Sequence, residues 1–132
     1  MKALSVRQPW AWLLAAGHKN IENRTWVTSY RGPLLIHASK GMTHQEYEDC
    51  MAFAIRAGLR AYFPRREDLE RGGIVGVVDL VACFESNGRL SPWHIEGCYG
   101  FAVSNARQLP FIPYTGRLGI FDVPDDVIAA AA

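Results

Sequence analysis

Residues Leu4–Arg24 read LSVRQPWAWLLAAGHKNIENR, and the arrangement of the rest of the chain depends on this run. It begins as an apolar strand, turns at the polar and aromatic run Arg7–Trp10, and continues as an apolar helix. After the helix, four residues stand at the spacing G-x-K-x-x-E-x-R: Gly17, Lys19, Glu22 and Arg24. Charged side chains this close together beside a buried helix are expected to face one another or a ligand, because an unpaired buried charge is costly.

The local pattern predicts a strand over Ala3–Val6, followed by a short helix from Pro9 to about Ala16. Proline is tolerated in the first turn of a helix, and Gly17 is a suitable residue to end one. One face of this helix is apolar at helical spacing, with Trp10, Leu13, Leu14 and Gly17.

The next predicted strand is Lys19–Trp26. In a regular strand Glu22 and Arg24 point to the same face, and Lys19 points to the other. A bend directly after the helix would be needed to bring Lys19 to the face of the two other charges. Whether the three charges meet therefore depends on the backbone just after Gly17.

The remaining sequence predicts further strands and one more helix. Leu34–Ala38 is a continuous apolar run and predicts a strand buried on both faces. Thr43–Glu46 is a capping box that opens a second helix, whose apolar stripe includes Ile55. Gly73–Phe84 has the strongest strand pattern, and Gly76 within it indicates a bulge or a close backbone approach. The following segments predict a turn at Asn87–Gly88 and a loop over residues 90–96. Two more strands are predicted at Tyr99–Val103 and Leu118–Val123, with a proline-containing arm between them. The tail over residues 128–132 is weakly specified.

This set of elements favours an α+β fold. Five or six short strands and two helices in 132 residues are typical of a small barrel with helices packed on it. The length predicts a single domain over residues 1–132. A hydrophobic content of 49% is enough to build a core, so disorder is not expected.

Composition also limits the partners. A net charge of +1 does not favour a long track along duplex DNA, although it allows a pocket for one nucleotide. The three cysteines form no CxxC, and the four histidines lack metal-binding spacing, so we expect neither a metal nor another cofactor. No apolar run reaches the roughly 18 residues of a membrane span. Widely spaced free cysteines, and an N-terminal apolar run interrupted at Arg7–Pro9, predict a cytoplasmic protein without a secretory signal.

Two runs in the first stretch resemble the ASCH (activating signal cointegrator homology) domain family, which is similar to the PUA domain of RNA-modifying enzymes. One is the G-x-K-x-x-E-x-R run, and the other is a preceding L-S-x-[RH]-Q-P-[WY]-A run, here Leu4, Ser5, Arg7, Gln8, Pro9, Trp10 and Ala11. The resemblance continues through Leu34–Ala38 and returns at Gly73–Leu80, more weakly at Pro113–Phe121, but it skips residues 42–71 and 86–96.

The resemblance implies a PUA-like β-barrel with two or three helices around it and a cleft beside the first helix. Its implied ligand is RNA or a modified nucleoside. Some members of the family are hydrolases, so the resemblance also implies an alternative, a nucleoside amidohydrolase or ribonuclease centred on Lys19. In the members that deacetylate N4-acetylcytidine a threonine stands where this chain has Glu22, and a downstream glutamate takes part, for which Glu96 is the nearest candidate by order. A protein-interaction adaptor, using apolar surface such as Trp12 or Trp93, is a third alternative.

The sequence allows two interpretations of Lys19, Glu22 and Arg24. In the catalytic one, Lys19 deprotonates a water or a 2′-hydroxyl, Glu22 carries the proton, and Arg24 stabilises an oxyanion or phosphate. In the structural one, the three side chains form a salt-bridge network that closes one end of the barrel.

Six further residues are candidates for substrate binding: Arg7, Gln8, Trp10, Trp26, Tyr30 and Arg31. Arg7 and Gln8 carry groups that can read the edge of a base. Trp10 or Trp26 could stack on it, with Trp26 the better candidate because it ends a strand next to the charges. Alternatively, Gln8–Trp10 is a helix-start motif with a core tryptophan.

Overall fold

A single curled six-stranded sheet forms the body of this computed structural model, which describes residues 1–85 and 91–131. The strands are β1 (Lys2–Val6), β2 (Ile21–Arg24), β3 (Gly32–Ala38), β4 (Gly73–Phe84), β5 (Tyr99–Pro113) and β6 (Ile120–Asp122). Their order in the sheet is β2-β5-β4-β3-β1-β6, and the β1–β3 pair is parallel while the other pairs are antiparallel. The predicted α+β class is confirmed.

Three helices accompany the sheet in the described ranges: α1 (Trp10–Ala15), α2 (His44–Arg56) and α3 (Asp125–Ala131). The predicted capping box is present at the start of α2, where the Thr43 side chain accepts from the Glu46 N–H and the Glu46 side chain accepts from the Thr43 N–H. Helix α3 includes part of the tail over residues 128–132 that was weakly specified by its sequence. None of these helices is long and apolar enough to cross a membrane.

Helix α1 lies directly against β4, and Gly76 makes this contact possible. A Cβ on Gly76 would lie 2.6 Å from the Cβ of Ala15 and 2.7 Å from the carbonyl oxygen of Arg107, so a larger residue does not fit there. The register of β4 against β5 also shifts next to this glycine. The sequence predicted a bulge or a close backbone approach at Gly76, and the structure has both; the close approach lets α1 pack against β4.

The core lies on both faces of the sheet. Alternate residues of β1 point to opposite faces, so Leu4 packs in the core beneath α1 while Ala3 packs in a second core against Phe121. Leu34–Ala38 is buried at every position, as predicted. Each fully buried leucine or isoleucine side chain of this kind contributes about 1.5–3 kcal/mol relative to an exposed one.

Three expectations need correction or fall outside the described residues. The proline-containing arm is wrong in part, because β5 continues to Pro113 and stays paired with β4 there. Ile55 is 63% exposed, because the buried face of α2 consists of Tyr47, Cys50 and Ala54 and Ile55 points away from it. The turn predicted at Asn87–Gly88 lies outside the described residues.

Candidate functional site

A cavity of about 430 Å³ lies between the end of β1 and strand β2, beside the start of α1. These two strands are separated in the sheet order by β5, β4 and β3, so the curl of the sheet brings them face to face. The lining combines charged, polar and aromatic side chains: Ser5, Val6, Arg7, Trp10, Lys19, Glu22, Asn23, Arg24, Thr25, Trp26, Ile95 and Cys98. A cavity of this size can hold a small organic ligand, since such sites typically measure about 300–1,000 Å³.

Lys19 reaches the cavity because the chain bends after α1. Gly17 has a φ of +83°, a left-handed conformation that glycine adopts without steric cost. The N–H of Lys19 donates to the carbonyl oxygen of Leu13 at 3.0 Å, and β2 begins only at Ile21. The bend that the sequence required to bring Lys19 round to Glu22 and Arg24 is therefore present.

Lys19, Glu22 and Arg24 form one hydrogen-bonded group, which we call the buried charge cluster. The Lys19 ammonium donates to Glu22 Oε1 at 2.7 Å, and Arg24 Nε donates to Glu22 Oε2 at 2.9 Å. The exposed fractions of the three side chains are 3%, 9% and 23%. One carboxylate thus faces two cations, so the cluster carries one net positive charge.

Arg24 also bridges the two strands beside the cavity. Its Nη2 donates to the carbonyl oxygen of Ser5 at 2.7 Å. This oxygen is available because β6 pairs with β1 only along residues 2–4. The buried charge cluster consequently connects β2 to β1, which is the structural role that one of the two sequence interpretations assigned to it. The catalytic role stays a prediction.

The environment of Glu22 keeps its carboxyl group ionised. Burial acts to raise the pKa of Glu22, but the charges of Lys19 and Arg24 and their hydrogen bonds outweigh burial. The net result is a pKa below the ordinary value of 4.5. At neutral pH Glu22 is therefore a carboxylate, which can accept a proton but cannot supply one.

Two tryptophans line the cavity, and both are half-buried. Trp10 packs edge-to-face on Phe53, and the Lys19 ammonium lies 4.6 Å from the centre of its indole ring. Trp26 packs edge-to-face on Phe101, with ring centres 5.1 Å apart. Because a cation already covers Trp10, Trp26 is the better placed of the two for stacking on a ligand.

Arg7 lines the cavity and forms a second ion pair outside it. Its Nη2 donates to Glu46 Oε1 at 2.6 Å, and its Nε donates to the other carboxylate oxygen. The hydrogen bond from Arg7, together with the N–H of Thr43, lowers the pKa of Glu46 to about 2. Since Arg7 is exposed, we call these two residues the exposed pair.

The structure does not bring the other predicted site residues into the cavity lining. The buried Gln8 side chain donates to the carbonyl oxygen of Glu70 at 2.8 Å and accepts from the N–H of Trp12 at 2.9 Å. Tyr30 donates to the carbonyl oxygen of Pro33, and Arg31 donates to the carbonyl oxygens of Thr28 and Tyr30. Glu96, the candidate downstream glutamate, is exposed and lines a different cavity with Phe53 and Arg56.

Sequence reasoning missed Asn23, which connects the cavity to the segment over residues 91–98. Its amide nitrogen donates to the carbonyl oxygen of Trp93, and its amide oxygen accepts from the N–H of Ile95, both at 2.8 Å. Asn23 lies inside the G-x-K-x-x-E-x-R run, so position alone could have indicated it. Ile95 and Cys98 carried no such signal.

The expectation that Trp93 offers exposed apolar surface is wrong. Only 6% of Trp93 is exposed, because it packs in a core cluster with Leu13, Ile21 and Cys50. Across residues 1–85 and 91–131, no three His, Cys, Asp or Glu side chains converge to form a metal site.

The fold and the site define the chain as a small α+β barrel domain with a charged, tryptophan-lined cleft beside its first helix. The family model described as "ASCH domain" matches residues 4–107, and the chain belongs to this family. Its PUA-like barrel is the fold that the motif resemblance implied.

Two relatives carry the name Activating signal cointegrator 1. The Homo sapiens protein is 42% identical over 82 residues, which cover 61% of this chain and 14% of that protein. The Mus musculus protein is 40% identical over 82 residues, with the same coverage of each chain. The match thus spans only a small part of the length of these relatives.

Proposed function

We propose that this domain binds RNA or a modified nucleoside by taking one base into the cavity beside α1. The observation that carries the proposal is the presence of Trp26 and the buried charge cluster in the lining of one cavity. Membership of the ASCH family, which resembles the PUA domain of RNA-modifying enzymes, supports the choice of ligand class.

The lining suits a single unpaired base. Proteins that read single-stranded RNA stack its splayed bases on aromatic rings and hydrogen-bond their edges. Phe101 holds the ring of Trp26 in place, so stacking costs little side-chain ordering. The net positive charge of the cluster favours a base carbonyl or a phosphate oxygen as its contact. The chain's net charge of +1 argues against duplex DNA as the ligand.

A hydrolase acting on N4-acetylcytidine or single-stranded RNA is the alternative function. It is favoured by the position of Lys19 within the cavity lining. However, a lysine that acts as a base or nucleophile must be a neutral amine, whereas the Glu22 carboxylate 2.7 Å from Lys19 Nζ favours a charged partner. Binding without turnover therefore agrees better with the geometry.

The test combines binding and turnover measurements on the same protein. Calorimetry with cytidine and N4-acetylcytidine, and fluorescence anisotropy with a short single-stranded RNA, measure binding, while chromatography detects deacetylation or strand cleavage. We expect saturable binding without products. Trp26→Leu should weaken binding roughly tenfold or more, because stacking of a base on an aromatic ring is worth about 1–3 kcal/mol.

The matched control is Trp12→Leu, since Trp12 is also half-buried but lies outside this cavity and packs on Phe63. Circular dichroism establishes that both variants fold. Equal loss of binding in the two variants would contradict a stacking role for Trp26. Products that form with the unchanged chain and disappear with Lys19→Met would favour the hydrolase instead. The absence of both binding and turnover would refute the nucleic-acid proposal.

A further inference from the structure

Three basic side chains lie together beside the cavity, on the segments that follow β1 and β3 and precede β4. Arg7 lines the cavity, and its guanidinium packs on Gly41, where a Cβ would lie 3.0 Å from both terminal nitrogens. Lys40 directly precedes Gly41 in the chain, and Arg71 Nη1 donates to the carbonyl oxygen of Lys40 at 2.8 Å. We call Arg7, Lys40 and Arg71 the basic strip.

The three charges of the basic strip differ in whether they form an ion pair. Glu46 neutralises Arg7 in the exposed pair. Lys40 and Arg71 are both exposed, and neither forms an ion pair with a carboxylate of residues 1–85 or 91–131. The segment before β4 also carries acidic residues: Glu70 is exposed and directly precedes Arg71, while Glu67 and Asp68 pair with Arg65. Two exposed cations without a carboxylate partner thus lie next to Arg7, which lines a cavity whose buried charge cluster carries net positive charge.

We infer that the basic strip binds the backbone phosphates of the nucleotides adjacent to the base in the cavity, which makes the ligand a single strand and not a free nucleoside. This inference rests on the proposed function. Lysine and arginine side chains contact phosphates without reading sequence, and such contacts set the position of the strand. A strip of three residues fits a short segment of single strand, in agreement with the low net charge of the chain.

Gln8 gives the strip a fixed position relative to the cavity. Its side chain joins the carbonyl oxygen of Glu70, directly before Arg71, to the N–H of Trp12 in α1. Because the Gln8 side chain is only 2% exposed, this connection is shielded from water. Gln8 is therefore a positioning residue for the strip, although the sequence suggested that it reads the base.

The test compares a five-nucleotide single-stranded RNA with free N4-acetylcytidine and cytidine over a series of salt concentrations. The variants are Lys40→Gln, Arg71→Gln and the double variant. For the RNA, each single change should lower the slope of log K against log salt by about 0.7, the value for one phosphate contact on a single strand. The double variant should bind RNA roughly tenfold more weakly at low salt but bind the nucleosides as the unchanged chain does.

Lys2→Gln is the matched control. It removes the same charge from the opposite end of β1, where Lys2 pairs with Asp122 at 2.8 Å. It should leave the salt slope unchanged.

Three results would overturn the inference. RNA that binds no more tightly than a nucleoside would show that the cavity takes a free nucleoside, and the proposed function would stand. Equal slopes for the double variant and Lys2→Gln would show that the phosphates lie elsewhere. Failure of both RNA and nucleosides to bind the unchanged chain would refute the proposed function and the inference with it.

Discussion

The buried charge cluster and the exposed pair lie beside the same cavity but differ in their access to water. The Glu22 side chain is 9% exposed, and its partner Lys19 is 3% exposed. The Glu46 side chain is 34% exposed, and its partner Arg7 is 48% exposed. Glu22 accepts one hydrogen bond from Lys19 and one from Arg24, and Glu46 accepts two from the guanidinium of Arg7.

This difference in burial should determine how much each ion pair contributes to the free energy of unfolding. Removing one partner of a buried pair leaves an uncompensated charge in a medium of low dielectric constant, which is strongly destabilising. An exposed pair exchanges its partner for water and loses little. Although the hydrogen-bond geometry of the two sites is similar, we therefore expect the two ion pairs to differ greatly in their contribution to stability.

The largest effect is expected from Glu22→Gln, compared with the matched change Glu46→Gln. Glu22→Gln leaves Lys19 and Arg24 without a carboxylate and should lower the free energy of unfolding by about 3 kcal/mol. Glu46→Gln should cost less than about 1 kcal/mol, because glutamine also serves in a capping box and the pair is exposed. Urea unfolding followed by circular dichroism measures both. Equal costs would mean that water solvates Glu22 as well as it solvates Glu46.

A smaller change in the free energy of unfolding is expected when the pH is lowered. The folded-state pKa of Glu22 lies below 4.5, near which the unfolded chain titrates. Between the two values the unfolded state binds more protons, so the stabilisation is complete above pH about 4.5 and is lost as pH falls through the folded-state pKa. Glu46, with a pKa of about 2, has the same sign.

Unfolding free energies at several pH values between neutral and acid measure this loss. Glu22→Gln should flatten the profile more than Glu46→Gln, because water screens the exposed carboxylate. A profile that is unchanged by Glu22→Gln would show that its carboxyl group has the same pKa in the folded and unfolded chains.

The sequence predicted the strands whose apolar residues follow a pattern and missed those held by backbone pairing. The apolar runs Leu34–Ala38 and Gly73–Phe84 are long enough to be recognised as strands from the sequence. The middle of β5 is not, since Ser104, Asn105 and Arg107 are exposed and its hydrogen bonds to β4 come from the main chain. Partner choice between distant strands leaves no signal in such a segment.

The same limit on prediction from the sequence applies to the candidate site. The short spacing of Lys19, Glu22 and Arg24 predicted that they meet, and Gly17 indicated where the chain bends. The partner of Gln8 is a carbonyl oxygen 62 residues away. A main-chain acceptor has no residue type, so no pattern in the sequence could have revealed that contact.

The smallest effect is expected from salt, which should weaken the coupling between the two partners of the exposed pair. Double-mutant cycles on each ion pair measure this coupling. The cycle built from Arg7→Gln and Glu46→Gln should give a coupling free energy of about 0.2–1 kcal/mol at low salt. This coupling should approach zero at about 1 M salt, where the screening length falls to about 3 Å. The cycle built from Lys19→Met and Glu22→Gln should keep most of its coupling, because ions screen buried charges poorly. Equal salt sensitivity in the two cycles would mean that the cavity admits ions freely. The cluster would then behave as a surface network, and the contrast in burial would have no energetic consequence.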